Sequence, residues 1–213
     1  RVIGRRTIKT YFNQTPEEDL KALAEIVRQL GVKNAEGVHP IEIVEVGSWV
    51  GESACAILQG LEMARAKGYV YCIDHWQGNA GDWLGDVVEK YGSENVQKMF
   101  MDNLKQDIGN GSIRAIKGHS LDVASQIQAN SQQVDLVFID AGHTYEEVKA
   151  DIEAWLPIVK QNGVLCGHDY CDAFPGVIQA VSERFGGEVK LVGSSVWMYV
   201  KESVDVPATS ETV

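Results

Sequence analysis

The chain has 213 residues, 45% of them hydrophobic and 23% charged, which is enough to bury one substantial core and sits near the upper size of a single domain. A formal net charge of −11 excludes a nucleic-acid partner, because a phosphate backbone needs a basic footprint that no stretch here supplies. No apolar run approaches the roughly 20 residues that span a bilayer, and no signal-peptide pattern opens the chain, so no membrane partner and a cytoplasmic location are expected.

Residues 1–14 are basic and mixed, with Arg5, Arg6 and Lys9 beside Tyr11 and Phe12, and lack a clear period. They read as an arm that packs on the body or on a partner subunit; the first residue is Arg1 rather than Met, which leaves residues upstream open. Thr15-Pro16-Glu17-Glu18 predicts a helix start with Thr15 as cap, Pro16 at the first position and a capping-box glutamate. Leu20, Leu23, Ile26, Val27 and Leu30 keep the helical period, which Gly31 ends.

Residues 41–53, Ile-Glu-Ile-Val-Glu45-Val-Gly47-Ser48-Trp-Val-Gly51-Glu-Ser53, predict a buried strand, a tight turn and a helix running to about Lys67. Glycines in such a turn let the backbone approach a ligand closely, and the unpaired N–H groups of the helix face whatever lies above the strand end. The spacing Glu45-x-Gly47-x-x-x-Gly51 has two glycines where a dinucleotide fingerprint has three. Its carboxylate repels a diphosphate and suits a ligand with an amino group. A plain structural junction would look similar on this motif alone.

Tyr69–Asp74 is the second predicted strand, and Asp74 stands where nucleotide-binding α/β units place the acid that accepts both ribose hydroxyls. Residues 75–93 are glycine-rich yet carry Trp76 and Trp83, so they read either as a mobile lid or as a segment whose tryptophans cover the core. A helix over 94–108 follows. Residues 112–117 make a third strand ending in Gly118-His119-Ser120, with Ser120 as cap of a helix over 121–129. A fourth strand, 134–140, is apolar almost throughout and ends on Asp140, followed by Ala-Gly-His143. The helix 144–160 is expected to kink at Pro157. A fifth strand, 163–170, carries Gly-His168-Asp169-Tyr170. A helix over 176–185 leads to strands 188–192 and 196–201, joined by Gly193-Ser194-Ser195 as a hairpin.

This alternation predicts an α/β fold, a single Rossmann-like, doubly wound, mostly parallel seven-stranded sheet with an antiparallel C-terminal hairpin. The expected division is an arm and helix over 1–40, the sheet domain over 41–201 and a frayed tail over 202–213. Parallel sheets bind ligands outside the carboxyl ends of their strands, and Glu45, Asp74, Asp140 and Asp169 are all placed there. Like charges gathered at one rim are destabilising unless a cation or a donor-rich ligand compensates, so the rim is the expected site. Cys55, Cys72, Cys166 and Cys171 form no CxxC pair and read as reduced thiols.

Glu45-x-Gly47-x-x-x-Gly51, Asp74, Asp140 and the closing hairpin together resemble a class I S-adenosylmethionine-dependent methyltransferase over nearly all of 41–201. Phe-Ile-Asp140-Ala-Gly-His143-Thr-Tyr-Glu and Gly-His168-Asp169-Tyr170 are similar to the bacterial small-molecule O-methyltransferases that act on macrolide sugars and are related to the metal-dependent catechol type. The resemblance implies methyl transfer to a hydroxyl of a small-molecule acceptor. It also implies that Glu45 and the turn of Gly47, Ser48, Gly51 and Ser53 hold the methionine part of the cofactor, Asp74 the ribose, with His75 beside it, and Gly118, His119 and Ser120 the adenine, with Asp140 closing the cofactor site. Mapped from metal-dependent relatives, Asp140, His168 and Asp169 would hold a divalent ion, Mg or Mn; the sequence departs from that pattern at His168, where relatives commonly carry a carboxylate, and at Tyr170. His143 matches a candidate general base, whose ordinary pKa of about 6.5 suits it to accept a hydroxyl proton. The arm and tryptophans suit a homodimer. The rival readings are a nicotinamide-dependent oxidoreductase and a non-catalytic nucleoside-binding module.

Overall fold

The computed structural model describes residues 1–11, 14–34, 39–79 and 81–202. Phe12 of the arm and the tail beyond Glu202 lie outside the described residues. The arm forms a short antiparallel ladder of β1 (Val2–Ile3) with β2 (Arg6–Thr7) and packs on the body. Arg6 fixes it there, with its guanidinium on both carboxylate oxygens of Asp107 at 2.9 and 2.8 Å and on Glu62 at 2.7 Å. Helix α1 (Glu17–Lys33) starts differently from the expected cap: Pro16 is the N-cap residue and no side chain caps it. The Thr15 N–H donates instead to buried Glu52, 3.3 Å away. Gly31 does not end α1, which runs on to Lys33; the glycine instead permits close packing on the next helix, where a Cβ would lie 2.6 Å from the Ala64 Cβ.

The central strand β3 (Ile41–Val46) pairs in parallel with β4 (Gly68–Asp74) on one side and with β6 (Val134–Ile139) on the other. Outside β4 lies β5 (Ile113–Lys117), and outside β6 lies β7 (Val159–Gly167), both parallel. β9 (Val196–Val200) then runs antiparallel to β7, with β8 (Lys190–Val192) at the edge, so the order is β5-β4-β3-β6-β7-β9-β8. The predicted seven-stranded, mostly parallel sheet with its closing hairpin is thus present.

Strand alternation divides the core into two layers. Ile43, Cys72 and Phe138 face α1, α2 (Glu52–Ala64) and the helix Ser93–Asn103, whereas Val44, Ile73, Val137 and Ile139 face the opposite set. That second set is the helices Ser120–Ala129, Tyr145–Trp155 and Pro175–Phe185. Because both faces of β3 and β6 are covered, the ends of the strands are left as the place where a ligand has access.

Three expectations on the connections are corrected. Within residues 75–93 lies a helix absent from the sequence expectations, α3 (Trp83–Tyr91), capped by the Asp82 carboxylate, which accepts from the Leu84 and Gly85 N–H groups. Trp76 is fully buried against Phe100, so that tryptophan covers core, as the plainer reading held. The single helix over 94–108 is two, α4 (Ser93–Asn103) and α5 (Lys105–Gly109), hinged at Leu104. The helix Ser120–Ala129 is α6, Tyr145–Trp155 is α7 and Pro175–Phe185 is α8. Pro157 ends α7 in a 3-10 turn rather than kinking a longer helix.

Candidate active site

The carboxyl ends of β3, β4, β5, β6 and β7 surround a cavity of about 750 Å³. Gly47, Ser48, Ser53, Asp74, His75, His119, Ser120, Asp140, His143, His168 and Asp169 all line it, so the sequence-predicted residues converge with two exceptions, Glu45 and Gly51.

At the closed end, the turn after β3 is fixed by backbone contact. Gly47 adopts φ +86°, and a Cβ there would fall 2.0 Å from the Asp140 carbonyl oxygen. The Gly47 N–H donates to the Ile73 carbonyl at 2.9 Å and the Asp140 N–H to the Val46 carbonyl at 2.8 Å, which clamps three strand ends together. Gly51, at φ +94°, is the N-cap of α2 and packs on Leu104 behind the wall.

Glu45 is not at the rim. It is the penultimate residue of β3 and points into the layer beneath the turn beside Cys72, fully buried and without a hydrogen-bond partner on either carboxylate oxygen. Burial pushes its pKa up to about 7, tempered by the nearby Ser48 and Ser53 hydroxyls and the Cys72 thiol. The Ser48 hydroxyl, on the cavity wall, is likewise buried and unpartnered. An orphaned hydroxyl on a cavity wall is costly unless a ligand completes it, and Ser48 is the one of these groups that a ligand in the cavity reaches.

Asp74 ends β4 with its two oxygens pinning the chain: one accepts from the Trp49 N–H at 2.7 Å, the other from the Trp76 N–H at 2.6 Å. Both tryptophans hold left-handed backbone angles, φ 44° and 55°, as does Asp169 at 61°. Two of the three, Trp49 and Asp169, line the cavity, and such strain is retained where a site needs it. Each Asp74 oxygen keeps a further lone pair for a ligand.

On the β5 side, the rings of His75 and His119 lie 4.9 Å apart. Ser120 does not cap α6; His119 is the N-cap residue, and the Ser120 hydroxyl is drawn to Asp151 while accepting from Trp155 Nε1 at 2.8 Å. Asp151, missed in the sequence, is buried there, which raises its pKa to about 6. Its helical spacing with Val148 and Ile152 on α7 was the available signal.

The β6–β7 side carries the densest ionisable network. His143 Nε2 is 2.9 Å from Asp169 Oδ2, and its ring lies on Phe174 at 4.5 Å. Burial works to lower the His143 pKa, but Asp169, with Asp140 and Asp82 behind it, carries it above the ordinary value. His168 is buried with both ring nitrogens engaged: Nδ1 is 3.1 Å from Asp169 Oδ1, and Nε2 is 3.1 Å from both Asp19 Oδ2 and Ser195 Oγ. Burial opposes its charge, yet Asp140 and Asp169 raise its pKa to about 11. Asp19 of α1, also missed, accepts from the Ser194 and Ser195 backbone N–H groups and ties helix, hairpin and His168 together. Among the described residues, Asp140, His143 and Asp169 offer ligand atoms within 4.8 Å of one another for a divalent ion, while His168 of the expected set lies beside them, its Nδ1 3.7 Å from Asp140 Oδ1 and 3.1 Å from Asp169 Oδ1 and its Nε2 held by Asp19.

Two of these groups set a pH dependence. A base whose folded pKa is raised contributes stability that is complete below its unfolded pKa of about 6.5 and is lost as pH rises towards 11; a buried acid raised to about 7 likewise favours the fold only while protonated. The ligand-free protein is expected to lose thermal stability steadily between pH 5 and 9. A melting temperature that rises over that range is inconsistent with these environments.

A family model described as a methyltransferase domain matches residues 44–170. Among curated proteins, the chain is 25% identical over 174 residues to an uncharacterized protein, y4gI, of Sinorhizobium fredii, covering 81% of this chain and spanning only 16% of that protein's length. Among solved structures it is similar to the O-methyltransferase NovP, with TM-score 0.61 and 18% identity over 90% of each chain. It is also similar to an O-methyltransferase from Bacillus cereus in complex with SAH, with TM-score 0.59 and 19% identity over 88% of this chain and 83% of that one. A third is CalS11, a TDP-rhamnose 3′-O-methyltransferase, with TM-score 0.58 and 14% identity over 85% and 78%. At these identities the structures establish the shared fold.

Proposed function

The chain belongs to the methyltransferase-domain family, and from that premise we propose that it transfers the methyl group of S-adenosylmethionine to a hydroxyl of a small molecule. The observation that carries this reading is the division of one cavity into two ends: orphaned polar groups and Asp74 at one, His143 held by Asp169 at the other. The O-methyltransferases of the same fold, one of them solved with SAH, support it.

Bound at the closed end, S-adenosylmethionine supplies an electrophilic methyl group on a sulfonium. The free lone pairs of Asp74 accept from the ribose hydroxyls, and His75 lies beside them. Ser48 and Ser53 face the methionine part, while Glu45, one layer behind, adds a carboxylate that an ammonium and a sulfonium both favour. Gly47 and Gly51 shape that turn. His119 and Ser120 flank the adenine, and Asp140 closes the floor. A pyrophosphate would meet this acid behind the turn, which argues against the nicotinamide reading.

His143 then acts on the acceptor. With Nε2 held by Asp169, its other ring nitrogen is the one that would take the hydroxyl proton as the methyl carbon passes from sulfur to that oxygen, the carbon–sulfur bond breaking to leave S-adenosylhomocysteine. A second reading rests on the convergence of donor atoms: Asp140, His143 and Asp169 would hold Mg or Mn, which would lower the pKa of the acceptor hydroxyl. Transfer of labelled methyl from S-adenosylmethionine to a panel of hydroxyl compounds, run with and without EDTA, tests both. Turnover unaffected by chelator is expected for the His143 base; turnover restored only by added metal selects the ion, and no transfer to any hydroxyl favours a non-catalytic module.

A further inference from the structure

The proposed seats of the cofactor follow the order of the strands. The turn with Ser48 and Ser53 stands over β3, Asp74 over β4, and His119 and Ser120 over β5, the next strand outward. Each donor-bearing part of the cofactor then has an acid assigned to it except one. The ammonium has Glu45 behind the β3 turn, and the ribose hydroxyls have Asp74. The exocyclic amine of adenine is left over, because the β5 turn Gly118-His119-Ser120 carries no carboxylate of its own.

A carboxylate does reach that wall from another element. Asp151, in the middle of α7, is only 5% exposed and lines the cavity. Its Oδ1 is hydrogen-bonded to the Ser120 hydroxyl, and Trp155 Nε1 donates to the same hydroxyl oxygen at 2.8 Å. With the indole on one lone pair, the Ser120 proton is directed to Asp151, so this hydroxyl orients the carboxylate. Asp151 Oδ2 has no hydrogen-bond partner among the described residues, and no Lys or Arg among them pairs with the group. Burial raises the carboxyl to about 6, although the Ser120 hydroxyl favours its charged form. A buried acceptor left in this state is costly until a donor reaches it.

We propose that Asp151 reads the base of the cofactor: Oδ2 accepts from the exocyclic amine of adenine, while Ser120 and Trp155 hold the carboxylate in place. This rests on the cofactor placement above. A base with a carbonyl oxygen at the same carbon sets acceptor against acceptor and is rejected, so Asp151 determines selectivity for adenine over hypoxanthine.

The test compares S-adenosylhomocysteine with S-inosylhomocysteine, which differ in that amine and in the proton that deamination places on N1. Both are titrated calorimetrically, at one pH, into the unmodified protein, Asp151→Asn and Asp151→Ala. The unmodified protein is expected to bind the inosyl compound at least about tenfold more weakly, the scale of one hydrogen bond to a charged group. Asp151→Ala is expected to weaken the adenosyl compound towards the affinity of the inosyl one. Asp151→Asn is isosteric and loses a charge that burial already opposes, so it is expected to fold; its amide can turn an N–H to the carbonyl oxygen, which closes or reverses the gap. An acid with a structural role alone would lower both affinities together and leave their ratio unchanged. Equal affinities in the unmodified protein overturn the proposal without any variant, and so does a ratio that survives in Asp151→Asn. Failure of S-adenosylhomocysteine itself to bind the unmodified protein overturns instead the cofactor placement beneath it.

Discussion

Asp74→Ala is expected to raise the dissociation constant for S-adenosylhomocysteine by about 10²–10⁴-fold. Two hydrogen bonds from ribose hydroxyls to a carboxylate are each worth about 1.5–3 kcal/mol, and their sum converts to that range. The substitution also releases the Trp49 and Trp76 N–H groups, 2.7 and 2.6 Å from the carboxylate, which hold two left-handed residues in place. Asp74→Asn separates the two effects. It keeps the shape and one acceptor oxygen, so the turn is partly retained while the charge is lost. Equilibrium dialysis with labelled cofactor reads both variants; an alanine variant that binds within threefold of the parent removes Asp74 from the ribose role.

His143→Ala is expected to lower kcat by about 10²–10⁴-fold, the usual contribution of a positioned general base, while leaving cofactor affinity within about twofold, because the ring sits at the acceptor end. In the parent enzyme the base must be unprotonated to act. Its pKa is raised by Asp169, so kcat/KM is expected to fall as pH drops through a value above 6.5. That acidic limb disappears in the variant. Asp169→Asn is expected to move the limb downwards, since the group that raises His143 is gone. A variant lacking His143 that keeps both rate and limb excludes the base role.

The strand-end acids were legible because parallel strands bring their carboxyl ends to one side, whatever the helices between them do. Asp74, Asp140 and Asp169 therefore needed only correct strand assignments. Glu45 was misplaced by the same logic, since the strand continues to Val46 and alternation turns the side chain inward beside Cys72. Local chemistry read too literally gave the remaining errors. Thr15 and Ser120 have the residue type of helix caps, but Pro16 and His119 occupy those positions, and Ser120 is held by Asp151. The Asp82 cap of α3 was readable from the apolar residues after it, and the glycines around it hid the helix. Asp19 had no signal at all: an acid in the first turn of a helix is explained by the helix dipole alone. Only the tertiary fold brings it to His168, 149 positions away. With that contact His168 is an engaged, buried side chain, and His143 joins Asp140 and Asp169 in the candidate donor cluster.

S-adenosylmethionine is the proposed ligand of the cavity above β3 and β4. Calorimetric titration of the unmodified protein with S-adenosylhomocysteine, set beside a titration with NAD, tests it most directly. Saturable one-to-one binding of S-adenosylhomocysteine and no heat from NAD are expected; binding of NAD without binding of S-adenosylhomocysteine would overturn the cofactor assignment.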